Sequence, residues 1–154
     1  MEVCQILERN NCKEFKKIIR RVLQGLCLLD EAGIVHCDLK TENILVSFDH
    51  RRQIVSSVKI IDFGASLSIE KVNTEVEVTT PEYLPPEILE FVDFRMMNGS
   101  GVNQKQQEQL NIRKRLKPWS IDIWSLGVIL LEVVVGFPIW MSYKGRIVKG
   151  NNGM

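Results

Sequence analysis

The chain has 154 residues, 45% hydrophobic and 25% charged, the make-up of one ordinary globular domain. Twenty basic side chains against nineteen acidic ones leave a net charge of +1, so no global field points to nucleic acid or to a membrane surface. Cys4, Cys12, Cys27 and Cys37 form no CxxC pair and no zinc spacing, and they read as reduced thiols. The longest apolar run, Val128 to Val135, is broken by Glu132 and is too short for a bilayer; with no basic and apolar leader at the N-terminus, the expected location is cytoplasmic or nuclear.

Val3, Ile6 and Leu7 fall at helical spacing, but that pattern stops at Arg9-Asn10-Asn11, and Asn11 is placed to cap a second helical stretch. In that stretch Phe15, Ile18, Ile19, Val22, Leu23, Leu26 and Leu29 recur at three- and four-residue steps. Lys13, Lys16, Lys17, Arg20 and Arg21 take the opposite face. The pattern predicts an amphipathic helix of about five turns with a solvated basic face, stopped by Gly33 just past its end. Ile44 to Phe48 and Ile54 to Ile61 read as two strands around a polar turn, Asp49 to Gln53, in which His50 is a lone, structurally neutral histidine.

Asp62 to Val78 reads as a polar loop. The prolines at 81, 85 and 86 forbid a central strand or a helix interior, and Pro86 suits the first turn of a short helix, Glu87 to Phe94. From Arg95 to Lys117 the composition turns to Gly, Ser and Gln and then to a basic tract, Arg113-Lys114-Arg115-Leu116-Lys117, which reads as a solvated insertion over 95–118. Ser120 is the expected cap of a helix over Ile121 to Val135. That helix is apolar nearly all round, which places it in the middle of a domain, and Gly136 ends it. A polar tail follows from Met141.

The chemistry concentrates in two stretches. His36-Cys37-Asp38-Leu39-Lys40-Thr41-Glu42-Asn43 packs an acid, a base and an amide into one loop ahead of Ile44-Leu45-Val46, and Asp62-Phe63-Gly64 follows the second strand. Two carboxylates and an amide make a hard, oxygen-rich cation site of the kind Mg²⁺ shares with phosphate oxygens, so the residues point to phosphoryl transfer.

These motifs resemble those of eukaryotic protein kinases. His36 to Asn43 is similar to their catalytic loop, Asp62-Phe63-Gly64 to their magnesium-binding motif, and Pro85-Pro86-Glu87 to the end of their activation segment. Asp122-Ile123-Trp124-Ser125-Leu126-Gly127 resembles their central buried helix. The resemblance implies a fold that is mainly α with a small β-hairpin: a kinase-like large lobe, incomplete, with the small lobe and the last helices absent. Its parts would be the catalytic loop 36–43, the activation segment 62–87, the polar insertion 95–118 and the central helix 120–135.

Residue by residue, the resemblance implies Asp38 as the acceptor or orienter of the substrate hydroxyl proton, and Lys40 as the partner of the transferring phosphoryl group. Asn43 and Asp62 would be the metal ligands, and Thr80 the link between the substrate-docking loop and Asp38 with Lys40. Leu45, Ile129 and Val133 would be core residues supporting the adenine ring. Asp122 would tie the central helix to the catalytic loop, and His36, Phe63 and Asp122 would belong to an internal spine. The implied cofactors are ATP and Mg²⁺ and the implied partner is a protein substrate, with Lys40 marking the serine/threonine type.

Cys37, followed by Asp-Leu-Lys and Glu-Asn-Ile-Leu, resembles the dual-specificity tyrosine-regulated branch. Counted back from Glu87, however, that branch's Tyr-x-Tyr pair falls on Glu75-Val76-Glu77, so no tyrosine stands there. The expectation is that the acidic pair fixes the segment without phosphorylation. No G-x-G-x-x-G after a strand and no Val-Ala-Ile-Lys-like segment is present. Two readings therefore stand: an ATP-dependent protein serine/threonine kinase, or a catalytically inactive, truncated or pseudokinase-like interaction module. Exposed apolar surface and marginal stability are expected either way.

Overall fold

A computed structural model describes residues 12–52, 54–77, 79–90 and 117–138. The helical pattern at Val3 to Leu7, nearly all of the 95–118 insertion, the end of the short helix after Pro86 and the polar tail lie outside these residues.

Helix α1, Cys12–Glu31, follows the apolar spacing: Ile18, Val22 and Leu26 point inward and are buried, and Lys13, Lys16, Arg20 and Arg21 are exposed. Each such aliphatic side chain contributes about 1.5–3 kcal/mol when fully buried. The helix ends where Gly33 turns to φ +70°, a left-handed conformation that costs a side-chain-bearing residue about 1–2 kcal/mol. Strand β1, Ile34–Val35, comes immediately after it.

A 3₁₀ turn at Thr41–Asn43 leads into β2, Ile44–Asp49, which pairs antiparallel with β3, Ile54–Ile60. The register runs from Ile44↔Ile60 to Ser47↔Ser57 and then shifts by one residue, so that Phe48 faces Val55 and Ser56 is the extra residue of a bulge. Ser56 Oγ closes the gap by donating to the Ser47 carbonyl at 3.0 Å. On the outer edge of the bulged strand, Glu14 accepts the Val55 N–H and Lys17 donates to the Val55 carbonyl, clamping the hairpin to α1.

The polar stretch after Asp62 differs from the expected loop. Strand β4, Leu67–Ser68, pairs antiparallel with β1, and helix α2, Ile69–Glu75, comes next. The reason is visible in three apolar residues at helical spacing, Ile69, Val72 and Val76: the last two are fully buried and Ile69 packs partly buried against their cluster. Seven helical residues surrounded by polar ones give too short a periodic signal to stand out in sequence. A second 3₁₀ turn, Pro81–Tyr83, precedes α3, residues 86–90.

Helix α4 spans Ser120–Val135 and ends at Gly136 with φ +83°. Ser120 is its first residue and not its cap. The preceding Lys117-Pro118-Trp119 turn already supplies acceptors, with Ser120 N donating to the Lys117 carbonyl and Ile121 N to that of Pro118, so no side-chain cap is needed. Burial of α4 is one-sided. Ile121, Asp122, Ser125, Leu126 and Ile129 are buried, whereas Ile123, Trp124, Leu131, Val134 and Val135 are exposed. The all-round apolar pattern thus corresponds to a half-covered helix, and the expected exposed apolar surface is on its outer face.

Two apolar clusters hold these elements. One joins α1, the hairpin and α4 through Val22, Leu39, Val55, Leu126 and Ile129. The other joins β1, α2, α3 and the start of α4 through Val35, Cys37, Val72, Val76, Ile88 and Ile121. The loop His36 to Asn43 runs between them. Among the described residues no helix is long and apolar enough to cross a membrane.

Candidate active site

The loop is pinned first from below. Asp122, buried on the first turn of α4, accepts the His36 N–H at 2.8 Å and the Cys37 N–H at 3.0 Å, one on each carboxylate oxygen. Burial pushes its carboxyl above the ordinary aspartate value, and the two N–H donors pull the other way. His36 is fully buried; Asp38 N donates to its Nδ1 at 3.4 Å, and its Nε2 lies 3.0 Å from the Ile61 carbonyl, which together assign the Nε2–H tautomer. Its ring meets Phe63 at 5.0 Å between centroids and a 58° tilt. The expected tie between central helix and loop, and the contact of His36 with Phe63, are both present.

Cys37 adopts φ +64° and Asp62 φ +62°, the left-handed region that a side chain makes costly. At Cys37 the turn separates the buried Cys37 side chain from Asp38, which is only partly buried. The thiol is buried, donates to the Val35 carbonyl at 3.6 Å, and is pushed up to about 12 by burial, with the Asp122 charge adding to this.

Asp38, Lys40 and Thr80 form a closed triangle. Lys40 Nζ is 2.8 Å from Asp38 Oδ2 and donates to Thr80 Oγ1 at 3.3 Å, and Thr80 Oγ1 donates to Asp38 Oδ1 at 2.7 Å. Partial burial pushes the Asp38 carboxyl up, but the hydrogen bonds from Lys40 and Thr80 outweigh it and hold the group below the ordinary carboxylate value. Lys40 is raised in return, chiefly by its hydrogen bond to Asp38, with Glu42 and Asp62 adding smaller Coulombic contributions.

Asn43 and Asp62 stand 19 residues apart, and the hairpin register brings them together. Beyond the Ile44↔Ile60 pair, Ile61 N donates to the Asn43 carbonyl at 3.0 Å, so Asn43 and Asp62 lie across the same end of the hairpin. Asn43 is buried, and its Nδ2 donates to the Asp38 carbonyl at 2.9 Å; this fixes the amide by its nitrogen and turns its oxygen to the other side. Asp62 is exposed, and its Oδ1 accepts the Gly64 N–H at 3.3 Å. An amide oxygen and a carboxylate at one hairpin end are donors that suit Mg²⁺.

Leu45 departs from the core position expected of it. It is 51% exposed because Ile44, Val46 and Phe48 are the β2 residues that pack on the α1 cluster, and the residues that alternate with them take the other face. Ile129 is buried and Val133 partly so. All three, with Phe15 and Leu126, line an apolar cavity of about 460 Å³.

Several contributors carry no sequence signal of their own, being ordinary hydroxyls. Thr79 Oγ1 donates to the Cys37 carbonyl at 3.1 Å and Ser66 Oγ to the His36 carbonyl at 3.4 Å. Tyr83 donates to Glu132 at 2.7 Å, and Ser125 Oγ donates to the Tyr83 carbonyl at 2.8 Å, fastening the Pro81–Tyr83 turn to α4. Burial raises the Tyr83 phenol above its ordinary value, so it stays protonated as that donor. The acidic pair does not supply the segment's buried contact: Glu75 pairs with Lys71 at 3.4 Å inside α2, and the side chain between the two acids, Val76, is the one in the core.

A family model described as the protein kinase domain matches residues 3–152. The DYRK-family kinase pom1 of Schizosaccharomyces pombe is 35% identical over 126 residues, covering 81% of this chain and 9% of its own length. Dual specificity tyrosine-phosphorylation-regulated kinase 2 of Drosophila melanogaster is 31% identical over 146 residues, 91% of this chain and 16% of its own. MAP kinase-interacting serine/threonine-protein kinase 1 of Xenopus tropicalis is 34% identical over 144 residues, 88% of this chain and 30% of its own. The chain thus spans less than a third of the length of each of these relatives.

Proposed function

The chain belongs to the protein kinase family, and from that premise we propose that it carries the phosphoryl-transfer centre of an ATP-dependent protein serine/threonine kinase, within the large lobe of such a domain. The observation that supports this most directly is the Asp38–Lys40–Thr80 triangle at the hairpin end shared by Asn43 and Asp62.

In this reading each residue has one task. Asp38, held ionised by its partners, accepts a hydrogen bond from the substrate hydroxyl and takes its proton as the oxygen becomes a nucleophile. Lys40 offers positive charge to the oxygens of the transferring group, and Thr80 fixes the angle between acid and base. The Asn43 amide oxygen and the Asp62 carboxylate would hold Mg²⁺, which would supply positive charge to the phosphate oxygens. Leu45, with Ile129 and Val133 behind it, gives the nucleotide base an apolar floor. The Pro81–Tyr83 turn, fixed by Ser125 and Glu132, places the protein substrate.

The test is a thermal shift with Mg-ATP together with phosphate transfer to a generic protein such as casein, with Asp38→Asn as the control. A shift and a transfer that Asp38→Asn abolishes are expected. Neither shift nor transfer would assign the chain to the other reading, an inactive interaction module, for which the exposed apolar face of α4 is the favouring observation.

A further inference from the structure

Cys37 holds a left-handed backbone angle next to Asp38. Such an angle persists in a residue with a side chain only where the surroundings over-determine it. Three constraints converge on this one residue. Asp122 takes its N–H, Thr79 donates to its carbonyl, and its side chain is buried in the cluster that contains Val72 and Val76 of the activation segment.

Ion pairs add little to these constraints. Between His36 and Asn43 and between Asp62 and Glu87 the lysines and arginines are Lys40 and Lys71 alone. Lys40 is engaged by Asp38 and Thr80, and Lys71 by Glu75 in an exposed pair of the kind that contributes little. The hydroxyls of Ser66, Thr79 and Thr80 all donate to the catalytic loop. A phosphate added to the segment would therefore find no free cation in these two stretches, whereas Val72 and Val76 are both fully buried.

We propose that Val72 and Val76 are positioning residues: their side chains close over Cys37 and hold the catalytic loop, so that Asp38 is aimed by apolar packing and not by a modified residue of the activation segment. The functional half of this rests on the proposed role of Asp38 in phosphate transfer; the packing half does not. Removing methyl groups from the plug lets Cys37 open to solvent, and with it the turn that directs Asp38.

Peptide-resolved alkylation of the whole chain by N-ethylmaleimide tests the packing, with exposed Cys27 as the internal reference. Val76→Ala is expected to raise Cys37 labelling relative to Cys27 by about tenfold, equivalent to about 1.4 kcal/mol in the opening equilibrium. Val76→Ile restores protection, and Val72→Ala serves where the Val76 variant does not fold. Cys37 labelling unchanged in both alanine variants would overturn the proposal. In phosphate transfer, Val76→Ala lowers kcat and leaves the KM for ATP unchanged, Val76→Ile recovers it, and phosphatase treatment of the parent chain leaves the rate as it was. A rate lost on phosphatase treatment also overturns the proposal. A chain that transfers no phosphate, yet shows the labelling pattern, rejects the proposed function and leaves the plug standing.

Discussion

Thr80 Oγ1 donates a hydrogen bond to Asp38 Oδ1 at 2.7 Å across 42 residues of chain. Under the proposed function, the bond couples the turn that would receive a protein substrate to the acid that would act on it. A hydrogen bond to a charged group is worth about 1.5–3 kcal/mol, so Thr80→Ala is expected to lower kcat in phosphate transfer by about 10- to 100-fold. Thr80→Ser keeps the hydroxyl and retains most of the rate. Equal losses in both variants would show that the methyl group, and not the bond, carries the effect.

Lys40 and Asp38 shift in opposite directions, which sets a pH window. The Asp38 carboxyl lies below its ordinary value, so the stability of the pair is present above the usual carboxylate range and is lost as pH falls through the lowered value. Lys40 lies above its ordinary value, so its share persists at neutral pH and is lost only as pH rises through the raised one. In Lys40→Met, burial acts on Asp38 without its largest opponent, and the acid limb of the rate profile moves to higher pH. Rate against pH for the two proteins is the measurement; coincident acid limbs would contradict the prediction.

Asp122→Ala leaves the His36 and Cys37 N–H groups buried without an acceptor. At about 1–3 kcal/mol per orphaned donor, the variant should lose about 2–5 kcal/mol in urea unfolding. A loss under about 1 kcal/mol would mean that water or another acceptor replaces the carboxylate.

Leu131 and Val134 are 55% and 67% exposed on the outer face of α4. Lysine at either position removes apolar surface without opening the core. The expected result is weaker binding of a hydrophobic dye such as ANS, with a melting temperature changed by no more than a few degrees. A large fall in melting temperature would place these side chains in contacts that their exposure does not show.

The sequence carried the parts of the fold whose periodicity extends over many residues. Helix α1 and the hairpin follow it directly, and Asp38, Lys40, Asn43, Asp62 and Thr80 are recognisable because types and spacings recur together. Their convergence is a matter of register and reach that no local pattern states: Asn43 meets Asp62 through an Ile61–Asn43 hydrogen bond, and Thr80 returns to Asp38 over a segment whose short helix was hidden among polar residues. Leu45 misled, and the outer face of α4 stands exposed as expected, for one shared reason. An apolar residue announces its affinity for a core, but whether a second layer covers it depends on elements far away in the chain.

The one-residue offset between Ser47 and Phe48 divides the hairpin into an inner ladder and an outer one. Lengthening or shortening the turn after Asp49 displaces the outer pairs, Phe48↔Val55 and Asp49↔Ile54, whereas Ile44↔Ile60 to Ser47↔Ser57 keep their own count. The bulge thus works as an expansion joint. The spacing between Asn43 and Asp62 is thereby set by the inner ladder and not by the turn.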